Sequence, residues 1–139
     1  MTVTTNLIKI HSRDENDMIN LTEKISNFVK NSAISNGSVT VFVSGSTGSV
    51  TTIEYEPGLI KDFPGMLARI APRDLDYGHE QMWHDGNGHS HVKASLIGPS
   101  LTVPFIDGEL CLGTWQQIVF LELDTRNRTR NLVLQIIGE

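Results

Sequence analysis

The chain has a single cysteine, Cys111, so it forms no internal disulfide and builds no cysteine-rich zinc site. That usage fits a reducing cytoplasm, and any bound metal would have to rest on histidine and carboxylate. Charged residues are scarce, 19% of the chain, which argues against a disordered or coiled-coil protein. There is no surplus of positive charge: the net charge is −5, and nucleic acid is not the expected partner. No apolar run approaches the roughly 18 residues that a membrane span requires, and Met1–His11 lacks the apolar stretch of a signal peptide. No repeat, linker or low-complexity segment divides the sequence. A length of 139 residues is that of one domain, 1–139, large enough to bury a core without disulfide or metal staples.

Strand signals dominate what is present. Thr2–His11 is rich in β-branched residues and reads as a strand. Leu21, Ile25, Phe28 and Val29 recur at helical spacing, with Asn20 and Glu23 at the start. Asn36-Gly37 is a turn, Val39–Val43 a short core strand, and Ser44–Ser49 a loop of small residues before the β-branched run Val50–Ile53. Pro57 opens a second helix, with Leu59, Phe63, Leu67 and Ile70 facing inward, and Pro72 stops it. Pro64 inside that pattern predicts a kink or a split. Arg73–Gly88 reads as a loop, then His89–Ile97 and Leu101–Ile106 as strands. Asp107-Gly108 is a hairpin turn, followed by strands at Leu110–Leu123 and Arg128–Ile137. The order predicts an α+β single domain, a largely antiparallel sheet or sandwich with two helices.

Five histidines occur in the sequence, and His79, His84, His89 and His91 cluster in and just after the predicted loop. On a strand, His89, His91, Lys93 and Ser95 would share one face, while Val92, Ala94 and Leu96 face the core. Two imidazoles, an ammonium and a hydroxyl in a row suit an anion, a metal, or both. A third metal ligand would come from His79, His84 or Asp85 nearby, or from Glu54 in space. His84 beside Trp83 reads as solvated, and His11 as a plain surface residue. Ser44–Ser49 could cradle phosphate through backbone N–H groups, although it lacks the lysine and spacing of a P-loop. Arg126, Arg128 and Arg130 read as a solvated hairpin edge. A Ser-His-Asp triad lacks a nucleophile elbow, and no carboxylate follows His89-x-His91 where a cupin would have one.

Four segments together resemble the YjbQ family: Asp85-Gly-Asn-Gly-His-Ser-His-Val-Lys-Ala-Ser95, Gly98-Pro-Ser-Leu-Thr-Val-Pro104, Leu112-Gly-Thr-Trp-Gln116 and Gln135-Ile-Ile-Gly-Glu139. Tyr77-Gly78-His79 matches the family's Tyr-x-His. His91-Val92-Lys93 with Ser95 matches its His-hydrophobe-Lys, Gly113–Gln116 its Gly-Thr-Trp-Gln, and Glu54 a carboxylate. The chain departs from it at Gly45-Ser46-Thr47, where many members carry His-Thr-Thr or His-Thr-Ser, and at Ile53, where Asn is usual. His89 is then the expected stand-in for the missing histidine.

The resemblance implies a small α+β fold assembling as a homotrimer, with a polar histidine-containing pocket, and a thiamine-phosphate synthase activity that joins a pyrimidine diphosphate to a thiazole phosphate. The expected catalytic residues are His91, Lys93 and His79, with Glu54, Ser95, Thr114, Trp115 and Gln116 on the substrate. The expected metal ligands are His79, His89 and His91, for a divalent ion such as Mg²⁺ or Zn²⁺. Two other functions are compatible with the same residues: metal-assisted hydrolysis at a histidine site, and a non-catalytic trimer that binds a small anion. In each case the partner is a small phosphorylated or anionic molecule.

Overall fold

The computed structural model describes residues 1–139. Its longest strands are the two ends of the chain, β1 (Thr2–His11) and β8 (Thr129–Gly138), paired antiparallel from Thr2 opposite Gly138 to His11 opposite Thr129. β8 then pairs with β3 (Gly37–Val43), which pairs with β5 (Ser100–Ile106) and, beyond it, the two-residue β6 (Glu109–Leu110). A second sheet holds β2 (Met18–Asn20), β7 (Gln116–Glu122) and β4 (Gly48–Glu54) in that order. Every pairing is antiparallel. At the end of β8, Gly138 has no room for a side chain, because a Cβ there would overlap the Asn36 carbonyl.

The two sheets bury the main core between them. Val39, Val41, Leu132, Leu134, Ile136 and Phe105 meet Val50, Ile118 and Phe120, and α1 (Thr22–Asn31) adds Ile25 and Val29. β7 is apolar on both faces, which is why its sequence is a continuous hydrophobic run. Ile118 and Phe120 face the first core, while Val119 and Leu121 face a third layer of helices. That layer is α2 (Pro57–Ile70), contributing Leu67, and α4 (Gly88–Ile97), contributing Ala94. Glu56 caps α2 by accepting from the N–H groups of Gly58 and Leu59 at 2.8 and 2.6 Å. No helix is long and apolar enough to cross a membrane.

The α+β antiparallel architecture is as expected, with differences in detail. There are four helices rather than two. Residues 78–83 form a short helix, α3 (Gly78–Trp83), within the predicted loop. The larger correction is that His89–Ile97 is helical, not a strand. The residues that pack inward are His89, Ser90, Lys93, Ala94 and Ile97, the paired three- and four-residue spacing of a helix face, whereas Val92 and Leu96 stay exposed at 45% and 59%. Three of the inward residues, His89, Ser90 and Lys93, are polar, so the apolar letters alone follow a period of two that the fold does not use. α2 runs unbroken through Pro64, and its Ile70 is exposed. The predicted long strand at 110–123 is interrupted between Leu110 and Gln116.

Candidate functional site

Two connections link the sheets at the same end of the molecule. The loop Ser44–Thr47 joins β3 to β4, and the turn 123–128 joins β7 to β8. The start of α4 closes the space between them. The result is a cleft of about 420 Å³ whose lining includes Gly45, Thr47, Asn87, His91, Asp124, Arg128 and Arg130, and no hydrophobic residue.

Arg130 is the anchor of this cleft. Its position on β8 has the same parity as Leu132, Leu134 and Ile136, so its side chain points inward and is 4% exposed. Nε and Nη2 donate to the two oxygens of fully buried Glu122 at 2.8 and 2.7 Å, a bidentate charge-assisted pair, and Nη2 also donates to Thr47 Oγ1 at 2.8 Å. Nη1 makes no hydrogen bond within the chain and lies against Gly45, where a Cβ would come within 3.0 Å of it. The guanidinium is thus fixed on one side and free on the side facing the cleft.

Asp124 is held beside it. It accepts from Arg128 Nη1 at 2.7 Å, Thr47 Oγ1 at 3.1 Å and the Thr125 N–H at 2.8 Å, with Asn87 Nδ2 at 3.5 Å. Burial pushes its pKa up, but these hydrogen bonds outweigh burial and leave it below the ordinary carboxylate value. Thr47 therefore links the two acids and two arginines into one network.

The histidine wall comes from α3 and α4. His79 and His91 lie with ring centroids 4.4 Å apart. His79 Nε2 is 3.0 Å from Asn87 Oδ1 and 3.1 Å from Asp85 Oδ1. Glu80 accepts from the Gly88 N–H at 2.7 Å, and a side chain at 88 would collide with Glu80 and Tyr77. Ligand atoms of His79, Glu80 and Asp85 all lie within 4.8 Å of one another, a set that can hold a divalent cation.

His89 and Lys93 are elsewhere. Positions 89 and 93 lie about 200° round the helix from 91, so the expected row of His89, His91, Lys93 and Ser95 does not exist. His89, 1% exposed, meets Glu15 through Nε2 at 2.6 Å, and Glu15 also accepts from Arg73 at 3.2 Å. The set His79, His89 and His91 does not converge, and His89 does not stand in for the histidine missing at Gly45. Lys93 is buried on that same face; burial lowers its pKa, Glu15 opposes the shift and Arg73 adds to it. Ser95 is exposed on α4 outside the cleft.

Glu54, Thr114, Trp115 and Gln116 sit at the other end of the small sheet, about 20 Å from Glu122 along β7. Glu54 and Gln116 are register partners, Gln116 Nε2 donates to Thr52 Oγ1 at 3.0 Å, and Trp115 is 72% exposed. Gln116 borders a separate cleft of about 350 Å³ with Thr52, Leu101 and Cys111. Within one chain these residues do not meet His91. Conversely, Asn87, Asp124, Arg128 and Arg130 belong to the cleft without having been singled out as binding residues. For Arg130 the signal was there: the alternation of β8 puts it with the core, not on a solvated edge. Asn87 had no such signal.

The family described as UPF0047 protein YjbQ-like matches residues 6–139. A UPF0047 protein of Methanothermobacter thermautotrophicus is 40% identical over 139 residues, covering 100% of this chain and 95% of that one. The UPF0047 protein YugU of Bacillus subtilis is 33% identical, covering 94% and 96%. Among solved structures, a YbjQ-like protein of unknown function from Sulfolobus solfataricus superposes with a TM-score of 0.90 at 28% identity, covering 99% of this chain and 100% of that one. A hypothetical protein from Aeropyrum pernix gives 0.86 at 28% identity, covering both chains fully. With the match running from the first strand to the last residue, this chain is a member of the UPF0047 YjbQ-like family.

Proposed function

We propose that the cleft between the two sheet crossovers binds the phosphate groups of a small phosphorylated substrate, and that the protein is a transferase of the thiamine-phosphate synthase type. One observation carries the reading: a buried guanidinium, pinned by Glu122 and Thr47, whose Nη1 is free and faces a wholly polar cleft. Arg130 Nη1 and N–H groups of the Ser44–Thr47 loop bind the diphosphate of the pyrimidine partner. As the carbon–oxygen bond to the diphosphate breaks and the carbon–nitrogen bond to the thiazole forms, Arg130 stabilises the charge on the leaving oxygens. His91, at the cleft wall, donates a proton to the departing pyrophosphate. Lys93 lies outside this site and has no part in the step.

The test is direct. Purified protein with both substrates and Mg²⁺ should form thiamine phosphate, and His91→Ala should lower turnover by about 10²-fold or more, the usual size of an acid–base contribution. If the wild-type protein forms no product, the synthase reading is wrong. A second reading then takes its place, favoured by the absence of any hydrophobic residue in the cleft, since heteroaromatic rings find no apolar surface to bury against there. On that reading the protein binds a small anion without turning it over, and ligand raises the melting temperature with no product formed.

We also propose a homotrimer. Supporting it is the outer face of the five-stranded sheet, where Val3, Leu7, Phe42, Ile106 and Ile137 are 43–69% exposed, more clustered apolar surface than a solvated sheet usually shows. Sedimentation equilibrium giving a monomer at all concentrations contradicts it.

A further inference from the structure

Two strand edges are left open at one side of the sandwich, on β4 and on β5. β4 ends the three-stranded sheet and pairs only with β7. The Leu123 N–H donates to the Thr47 carbonyl at 3.0 Å, which sets the phase of that ladder. Ser49, Thr51 and Ile53 turn their main-chain groups toward β7, and Val50 and Thr52 turn theirs outward. β5 pairs with β3 along its length but with β6 only at Phe105 and Ile106. The Val43 N–H donates to the Pro99 carbonyl at 2.8 Å, and the Cys111 N–H to the Pro104 carbonyl at 2.9 Å. Leu101 and Val103 therefore bond toward β3, while Ser100 and Thr102 present N–H and C=O on the far side, where no strand pairs with them.

These open edges face one another across the cleft of about 350 Å³. Its floor is apolar: Leu101 and Leu112 are outlying parts of the main core, and Ile97 of the smaller one. Its rim carries hydroxyls and an amide, and no charged residue lines it. Gln116 is committed within the chain, accepting the Gly113 N–H at 3.0 Å and donating to Thr52 Oγ1 at 3.0 Å. The Thr52 hydroxyl thus accepts, and its proton is left for another partner. The Thr102 hydroxyl is 2.9 Å from that of Thr40 across the β3–β5 pair, so Thr102 borders the cleft with its main chain. Most of the wall comes from Gly98–Pro104 and Leu112–Gln116, two of the four segments that carry the family resemblance. Neither segment lines the phosphate cleft.

We infer that this cleft is a second binding site, for a small, uncharged, planar heterocycle with an N–H donor beside a ring acceptor, as in an aminopyrimidine or a cyclic amide. A residue on an open strand edge offers N–H and C=O side by side, the pair that one more strand would use. The adjacent acceptor and N–H of such a ring take both at Thr52, whose hydroxyl adds a further donor. The ring then rests on Leu101, Leu112 and Ile97, with Thr102 on the opposite wall. An ionic ligand would lose water here without meeting an opposite charge. The site is independent of the phosphate reading, since the two clefts share no residue.

The experiment is a titration of 2-aminopyrimidine into the isotope-labelled full chain, up to about 10 mM, because well-fitting fragments of this size bind near about 1 mM. The amide resonances of Thr52 and Thr102 should shift together and saturate, while those of Gly45 and Thr47 in the phosphate cleft stay in place. The dimethylamino analogue keeps the ring and its acceptors but has no N–H. It should bind about tenfold more weakly, because it leaves the Thr52 carbonyl unpaired. Cys111→Trp, at the exposed lip of the cleft, fills the space and should weaken binding by a similar factor, with a thermal melt to show that the fold persists. The comparison of the two compounds needs only wild-type protein, so it decides even where the variant does not fold. No saturable shift at Thr52 and Thr102, equal affinity for the two compounds, or equal affinity in wild type and folded Cys111→Trp overturns the inference. Pyrophosphate binding that fails while 2-aminopyrimidine binding holds overturns the functional reading alone.

Discussion

Lys93 and Arg130 carry the same charge and are equally buried, 4% exposed each, yet they have opposite consequences. Arg130 has a fully buried carboxylate in bidentate contact, so its charge is matched and its spare donor is available. Lys93 has no carboxylate within ion-pair distance, and burial lowers its pKa. Because its folded pKa is depressed, the unfolded chain binds its proton more tightly. Stability from this group therefore rises with pH between the depressed value and about 10.4, the ordinary lysine value, and the contribution is lost as pH falls. Lys93→Met removes that proton from both states. The melting temperature of Lys93→Met minus that of the wild type should be positive at neutral pH and shrink as pH rises toward 10. A difference independent of pH would show that Lys93 is not penalised by burial. Asp124 works in the other sense: hydrogen bonds hold its pKa down, so its contribution is present at neutral pH and lost below the ordinary carboxylate range near about 4.

At the scale of the element, α4 decides where the chemistry lies. As a strand it would put Val92 in the core and His91 beside Lys93; as a helix it buries Ala94, exposes Val92 and separates His91 from Lys93. Val92→Glu should change stability by no more than about 0.5 kcal/mol, as for an ordinary surface substitution, whereas Ala94→Asp buries an unpaired carboxylate and should cost several-fold more. Urea unfolding of the two variants checks this, and a large loss in Val92→Glu would contradict the helix. The sequence misleads here for a physical reason. α4 turns Ser90, His89 and Lys93 inward, where Ser49 Oγ donates to the Ala94 carbonyl at 3.1 Å and Glu15 meets His89, so polar pairing does part of what apolar packing does elsewhere. The strands were legible because they are conventional: β8 alternates Leu132, Leu134 and Ile136 inward, and β7 is apolar on both faces. The cleft was half legible. His79, His91 and the Ser44–Ser49 loop stood out by residue type, while Asn87 and Asp124 became visible only once two crossovers and α4 met.

For the whole molecule, the three-layer stack places both crossovers between the sheets at one end, with α4 laid across them. The cleft is therefore built on the ends of well-buried strands, with Arg130 fixed from behind by Glu122. Glu54, Trp115 and Gln116 lie at the opposite end of the small sheet, so a role for them in the same reaction requires a second copy of the chain. Whether Arg130 presents a free donor to a phosphate in this cleft can be tested without knowing the substrate. A valine at Gly45 would fill the space against Arg130 Nη1 while leaving the Glu122 and Thr47 contacts in place. The measurement is isothermal titration of inorganic pyrophosphate into wild-type and Gly45→Val protein. The wild type should bind, and the variant should lose about tenfold or more in affinity, about 1.4 kcal/mol, at unchanged melting temperature. Equal affinity in both proteins, or none in the wild type, contradicts it.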